Sequence, residues 1–504
     1  MGARECCRVR FSDQGTALRL PGQIRAFRER NPKLFEIAVS ILACTLIQIA
    51  LLASQPSSSR FVRRAADNAA DQMIRLSERT NGSLKGSPKF TFFSIDDATY
   101  VAWGAHQIAP RGRIKTILER VARSNPTAIL LDVDLSYTDS GDASGEASLR
   151  DFLGQYPAAA PPLLLVRSLY HDAAPPALPR IRATSYDDQT AAKPNIIWGS
   201  PLFERDADGQ VRRWRLFVQV CAAEHPAVLP ALHLVGAIIA RAQIEGEDRE
   251  QAAASIPRQL ASFGADSCAR PTERSGEIAP KRGELPAISV DHLDVSSRVL
   301  YRADWNASRI ALGGDIVSTD GQTPLVAVRP AGLVSSGDST SPVPGLDGRI
   351  AVIGGSFADS GDWYSTPLGR MPGAMLLINA IEALTINGTP REPNVVEAIA
   401  ISFVIIVMTS VLAAFFRPIV AAPLAAGGIF LIMLISLPLF RSGVVVNLAV
   451  PAVGAAFYDL GATLVEKYHQ LRSLGWKFVL KPPASIDMEP TTLEASGEGA
   501  GEPT

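Results

Sequence analysis

Hydrophobic positions are unevenly spread along this chain. Charge is nearly absent from Leu34–Ala53 and from Ala398–Val465, and plentiful between them. The C-terminal stretch divides into Ala398–Phe416, Ile419–Phe440 and Val444–Val465, separated only by Arg417-Pro418 and by Arg441-Ser442-Gly443. A helix needs about 20 apolar residues to cross about 30 Å of hydrocarbon. Each run therefore predicts a membrane span, and the short links predict antiparallel neighbours. Buried helices of a globular core are the competing reading. The first run, LFEIAVSILACTLIQIALLA, carries one charge, Glu36, at its entry. Its length, and the poor small-residue site at Ala50–Ala53, favour a span over a cleaved signal peptide.

Between these runs the periodicity changes. Val62, Ala66, Ala69, Met73 and Leu76 recur at helical steps and predict a helix over 57–81, broken by Gly82–Pro88. FTFFSI at Phe90–Ile95 is a buried-type strand ending at Asp96-Asp97. IKTILERVARS at Ile114–Ser124 has helical spacing and stops at Asn125-Pro126. TAILL at Thr127–Leu131 is a second strand, ending in Asp132-Val133-Asp134. Two continuous apolar strands joined by a helix predict a parallel βαβ unit with both faces covered. Further strands are predicted at Pro162–Arg167, Ile196–Ser200, Val211–Val220 and Arg349–Gly354. Helices are predicted at Glu146–Tyr156, Ala227–Ala240 and Gly373–Ile386. Residues 244–290 show no clear period and read as a long excursion.

The expected fold is thus an α/β extracytoplasmic domain with a mostly parallel sheet, plus four transmembrane α-helices, one N-terminal and three C-terminal. The expected boundaries are a basic cytoplasmic leader at 1–33, spans at 34–53, 398–416, 419–440 and 444–465, the outer domain at 54–394, and a short, largely disordered tail at 466–504.

Charge adds orientation. The formal net charge of −1 in 504 residues gives no bulk attraction for nucleic acid. Arg4, Arg8, Arg10, Arg19, Arg25, Arg28, Arg30 and Lys33 precede the first run, and Lys467, Arg472, Lys477 and Lys481 follow the last. The positive-inside rule then places both termini in the cytoplasm, with the membrane, crossed several times, as a partner. Of the five cysteines, Cys221 and Cys268 share the outer region. An oxidising compartment allows them to pair; two buried free thiols are the alternative.

Candidate chemistry gathers where strands end. Ligands of open α/β sheets bind beyond the C-terminal strand ends. Asp96, Asp97, Asp132 and Asp134 lie there, Arg111 follows closely, and Asp362 and Thr366 lie on the loop after another predicted strand. These seven form the candidate ligand site. Helix capping and pairing with Arg111 is the structural alternative. The loop Gly354–Gly361 lacks the phosphate-binding patterns Gly-x-x-x-x-Gly-Lys and Gly-x-Gly-x-x-Gly. Asp206-x-Asp208-Gly209 lacks the later ligands of a calcium loop. Ser356 is not in a Gly-x-Ser-x-Gly elbow, and His106, His171, His225 and His233 show no metal spacing. No catalytic residue and no metal site is assigned.

The motifs FFSIDDATYVAWG at 92–104, Pro110-Arg111, NPTAILLDVDLSYTD at 125–139, DADGQVRR at 206–213, DGRIAVIGGSFADSGDWYSTPLGRMPG at 347–373 and INAIEALTING at 378–388 occur in an order that resembles the CHASE type 2 (cyclase and histidine-kinase associated sensory extracellular) domains. Three features depart from that pattern. His106-Gln-Ile-Ala stands where a Trp-Pro is usual, 244–290 is expanded, and the 39 residues after Val465 are too short for a cytoplasmic cyclase, kinase or phosphatase. With the topology and the short tail, the resemblance implies a non-enzymatic sensor in a bacterial inner membrane, detecting an extracytoplasmic ligand and handing its signal through its helices to a separate membrane or cytoplasmic protein. It names no ligand and no cofactor, and it leaves self-association open. A scaffold that binds another protein through the outer domain is the second reading. An outer-facing metal-dependent hydrolase is the third.

Overall fold

The structure, a computed structural model, describes residues 60–445, apart from 81–86, 139–140, 172–176, 291–295, 307–309, 311–314, 318–323, 338–339, 394 and 417, and isolated positions between 30 and 46. The chain divides into two compact units. One comprises Gln55–Ser402 with Ala422–Ala449, the other Met1–Ser54, Phe403–Ala421 and Val450–Thr504.

The first unit is built on a sheet with seven strands among the described residues. They are β1 (Lys89–Ile95), β2 (Ala128–Asp134), β3 (Leu163–Val166), β4 (Ile196–Gly199), β5 (Ile316–Val317), β6 (Pro324–Pro330) and β7 (Arg349–Gly355). Their order is β5-β6-β1-β7-β2-β3-β4. Every pairing is parallel except that of the edge strand β5 with β6. The principal helices are α1 (Arg60–Thr80), α2 (Asp97–Ala102), α3 (Arg111–Arg123), α4 (Ala143–Gly154), α5 (Leu232–Glu245), α6 (Gly373–Asn387), α7 (Val395–Phe415) and α8 (Pro418–Ile435).

Alternation explains why the strands read as unbroken apolar runs. Phe90, Phe92, Leu130, Leu164 and Val352 face one core, with α5, α6 and the buried side of α1. Phe93, Ile129, Leu131, Leu165 and Ile353 face the other, with α3 and α4. A strand buried on both faces has no exposed positions to alternate with, and Thr91, the polar residue inside β1, is buried as well. Each such side chain contributes roughly 1.5–3 kcal/mol on burial.

Other elements differ from the sequence pattern. Val211–Val220 is two strands, Val211–Trp214 and Phe217–Ala222, parted at Arg215-Leu216. The apolar run at Ala227 begins within the strand His225–Pro230, and the helix starts only at Leu232. Within 244–290 lie a helix, Arg249–Leu260, and a two-stranded sheet, Gly276–Ala279 with Ile288–Val290. Cys221 is disulfide-bonded to Cys268, with Cα atoms 5.3 Å apart, which ties this segment to the strand Phe217–Ala222.

The expectation of four transmembrane helices is corrected. Among the described residues no helix is long and apolar enough to cross a membrane. The run Ile419–Phe440 is broken: α8 stops at Ile435, and a separate helix, Leu437–Arg441, carries Pro438 in its first turn. The 18 residues of α8 span about 27 Å, short of the hydrocarbon core. In α7 the first turn holds Glu397, which leaves a similar uncharged length. Val444 forms a bridge with Arg391 rather than opening a helix. The rest of Val444–Val465, most of Leu34–Ala53, the leader and the tail lie outside the described residues. The multi-pass inner-membrane placement rested on those spans and is overturned with them.

Helix α1 is held by charge. Asp67 and Asp71 stand four residues apart on it. Arg298 reaches both, at 2.6 Å each. Arg212 pairs with Asp71 at 2.9 Å and Arg213 with Asp67 at 2.7 Å. The same two arginines hold the turn at Asp206 and Asp208, with contacts of 2.5–3.0 Å. All three guanidinium groups are buried. Buried charges persist only with partners, and removing one partner strands the others. Asp71→Asn should therefore lower the unfolding free energy by about 3–5 kcal/mol in a urea titration. A loss below about 1 kcal/mol would mean that α1 is held by apolar contacts alone.

His233 gives a second test. It is fully buried on α5, with the rings of Phe203 and Trp214 at 5.0 and 5.8 Å. Burial depresses its pKa from 6.5 to about 3, against a weaker opposing pull from the Arg215 backbone. Between those values the unfolded chain takes up a proton that the folded chain refuses, so stability falls as pH falls. The full effect is roughly 4–5 kcal/mol. His233→Leu should lose this component of the slope between pH 6.5 and 3 in chemical denaturation. An unchanged slope would contradict the assignment.

Candidate functional site

The carboxyl ends of β1, β7 and β2 lie side by side, with Ser94 opposite Gly354 and Gly354 opposite Asp132. Polar side chains appear at this rim because the strands leave both cores there. Ser94 and Ser356 share a hydrogen bond between their hydroxyls, and both are buried.

Asp132 and Asp362 flank the first turn of α6. A Cβ on Gly373 would lie 2.3 Å from a carboxylate oxygen of Asp362. A Cβ on Gly354 would lie 3.2 Å from the Cβ of Asp132 and 3.0 Å from that of Ala374. The two glycines make room for the two carboxylates. Asp132 keeps a partly accessible surface. Burial of its carboxyl still raises its pKa well above the usual carboxylate range, and the charge of Asp362 raises it further. Burial also raises Asp362, against hydrogen bonds from Tyr364 and Gly373 and the charge of Arg205. Tyr364 is pushed up to about 12, chiefly by burial and then by the charge of Asp362. The Arg205 guanidinium lies 4.9 Å from the Tyr364 ring centre. Like charges sharing a desolvated site favour holding one proton between them.

The other sequence-predicted residues serve different local structures. Asp96 caps α2 by accepting from the Thr99 N–H at 2.8 Å. Asp97 accepts from the Ala358 N–H at 2.9 Å and so pins the loop after β7 to the start of α2. Thr366 closes its own hairpin turn, donating to the Gly369 carbonyl at 2.7 Å. Asp134 accepts from the Ser136 N–H and the Ser168 hydroxyl, both at 2.7 Å. Arg111 is fully buried. It pairs with Glu146 at 3.3 Å and donates to the carbonyls of Asp134 and Tyr137 at 3.1 and 2.7 Å. Arg111 and Asp134 thus form a second cluster, joined through a backbone carbonyl. Asp132 and Asp362 make the first.

Tyr364 and Arg205 were not singled out by sequence reasoning. Their signal lies in two short hairpins: Phe203–Arg205 with Val211–Trp214, and Trp363–Thr366 with Gly369–Pro372. A bridge between Gln210 and Ser365 joins the two. Among the described residues no group of three or more His, Cys, Asp or Glu is placed to hold a metal ion.

In open α/β sheets covered on both faces, ligands bind beyond the carboxyl ends of the strands, where this polar rim lies. The model of the CHASE2 domain family matches residues 42–414, and the chain belongs to that family. CHASE2 domains are sensory extracellular domains, rather than catalytic ones. Comparison with curated proteins and with solved structures returned no match.

The raised pKa of Asp132 sets a sign. Its folded value lies above its unfolded one, so the folded state is favoured below the unfolded pKa and loses that advantage as pH rises through the folded value. Asp132→Asn should raise the melting temperature at pH 8, with the gain shrinking toward pH 4. A variant less stable than the native protein at pH 8, or a gain unchanged at pH 4, would contradict the burial of this charge.

Proposed function

We propose that this protein is a sensor that detects an extracytoplasmic signal at the Asp132–Asp362 rim and passes it to a separate partner protein. One observation carries the reading: two carboxylates with raised pKa values share the rim of a sensory-family sheet. Such a pair responds to a proton or to a ligand bearing an ammonium group, since either relieves the repulsion between them.

The neighbouring contacts support a route outward. Asp362 opens the hairpin Trp363–Pro372, and at its turn the Pro367 carbonyl accepts from Arg75 of α1 at 3.0 Å. The partner hairpin carries Arg212 and Arg213, which hold Asp71 and Asp67 of the same helix. Asp362 also precedes α6, whose far end meets later segments: the Asn387 amide donates to the Arg441 carbonyl at 2.5 Å. These contacts offer a change at the rim a path to α1 and to the C-terminal end of α6. A signal shifts these elements by binding two states with different affinity.

The test uses the full chain. Putrescine and ethanolamine should raise its melting temperature, as a ligand of the folded state does. They should also change hydrogen exchange over 60–80. Asp132→Asn and Asp362→Asn should abolish both effects. A thermal shift that survives both substitutions, or unchanged exchange over 60–80 when the rim binds, would overturn the proposal.

A further inference from the structure

On the α3 side of the sheet, beside β6, lies a cavity of about 350 Å³. Its size is at the lower end of small-molecule sites. Its walls include Phe93, Leu333, Val334, Val343 and Leu346, together with three arginines, Arg120, Arg329 and Arg349, and among the described residues its lining contains no Asp or Glu. This is the reverse of the Asp132–Asp362 rim in charge.

The three arginines differ in how they are neutralised. Arg329 pairs with Asp315 at 2.6 Å, half exposed at the edge. Arg120 donates only to carbonyls, of Ser341 at 3.0 Å and Val334 at 2.7 Å. Arg349 donates to the Thr91 hydroxyl at 2.9 Å, to the Pro324 carbonyl at 3.2 Å and to the Phe90 carbonyl. Neither Arg120 nor Arg349 has a carboxylate partner among the described residues. Nη2 of Arg120 and Nη1 of Arg349 have no acceptor there. Burial pulls the Arg349 guanidinium below its ordinary pKa, with Asp315 opposing and Arg329 assisting. Half-buried guanidinium groups held by carbonyls keep N–H donors available, and a carboxylate fits their fork.

We infer that this cavity binds a small organic carboxylate with an apolar body, its charged head on Arg120 and Arg349 and its body against Phe93, Val334 and Leu346. The binding reading at the rim is independent of this one, since the two sites share no residue and take opposite charges. Carbonyl acceptors fix the guanidinium groups before the ligand arrives, so little side-chain freedom is lost on binding. Leu333, 71% exposed at the mouth, provides a position where charge can be changed without disturbing the core.

The test is isothermal titration calorimetry of the full chain with 3-phenylpropionate at fixed ionic strength. The neutral 3-phenylpropionamide and inorganic phosphate serve as comparison probes. Saturable binding of the carboxylate is expected, at least about tenfold tighter than either comparison, a difference in keeping with one charge-assisted guanidinium pair. Leu333→Glu should weaken it by about tenfold or more through repulsion at the mouth, while Leu333→Gln, neutral and similar in size, should change it less than about threefold. Equal binding of the amide would reduce the cavity to an apolar pocket and overturn the inference. Equal binding of phosphate would reduce it to a surface charge, with the same consequence. No saturable binding, or identical affinity in the Glu and Gln variants, would also overturn it.

Discussion

Burial of the central sheet on both faces is the constraint from which the rest follows. Phe90, Phe92 and Leu130 enter one core while Phe93, Ile129 and Leu131 enter the other. No polar side chain fits along the middle of such strands without losing its water. Chemistry is therefore pushed to the rim, where Ser94, Asp132 and Gly354 stand in adjacent registers. The candidate site is a consequence of the core: the strands stop being apolar at the level where the helices cease to cover them. The cavity beside β6 obeys the same rule sideways, at the edge where the covering layer ends.

The polar network around α1 answers a different demand. Apolar contacts of Ala70, Met73 and Ile74 seat one side of this helix. They do not specify its rotation, since neighbouring apolar positions can exchange at modest cost. Asp67 and Asp71 do, because each must meet arginines from elements far away in sequence. Replacing such a network by apolar residues is often neutral for stability. Its value here is in fixing which face of α1 meets the Arg212–Arg213 hairpin.

How much of this could be read from the sequence differs by element. FTFFSI, AILL and RIAVIG announced β1, β2 and β7, because two-sided burial writes itself as uninterrupted apolar runs. The strand β6 gave no such sign: prolines at 324 and 330 punctuate it, and proline reads as a breaker although both fall at strand ends. HPAVLP was absorbed into the following helix, since a short apolar run carries no period. The apolar C-terminal runs misled more seriously. Hydropathy averaged along the chain does not register that α8 ends at Ile435 or that Val444 pairs with Arg391. At the site, Asp132 was legible as a strand-end acid and Asp362 as an acid on the loop after β7. Tyr364 and Arg205 were not, because what brings them together is the bridge between Gln210 and Ser365, a pairing with no local trace.

The rim also shows why a sensor of this construction would be poised rather than inert. Neutralising one of two crowded carboxylates in a desolvated site removes both a solvation cost and a repulsion. The doubly ionised pair is the less stable arrangement, yet Gly354 and Gly373 preserve the space that keeps it there. Larger residues at either glycine would press on the acids or force them outward. The hydrogen bonds and the charge that stabilise ionised Asp362 come from Tyr364, Gly373 and Arg205, which lie on the very hairpins and helix that lead away. Protonation or occupation of the pair weakens the hold of those three groups on Asp362. The energetic difference between the two charge states is thereby located on the elements that could move, which is the condition a population shift requires.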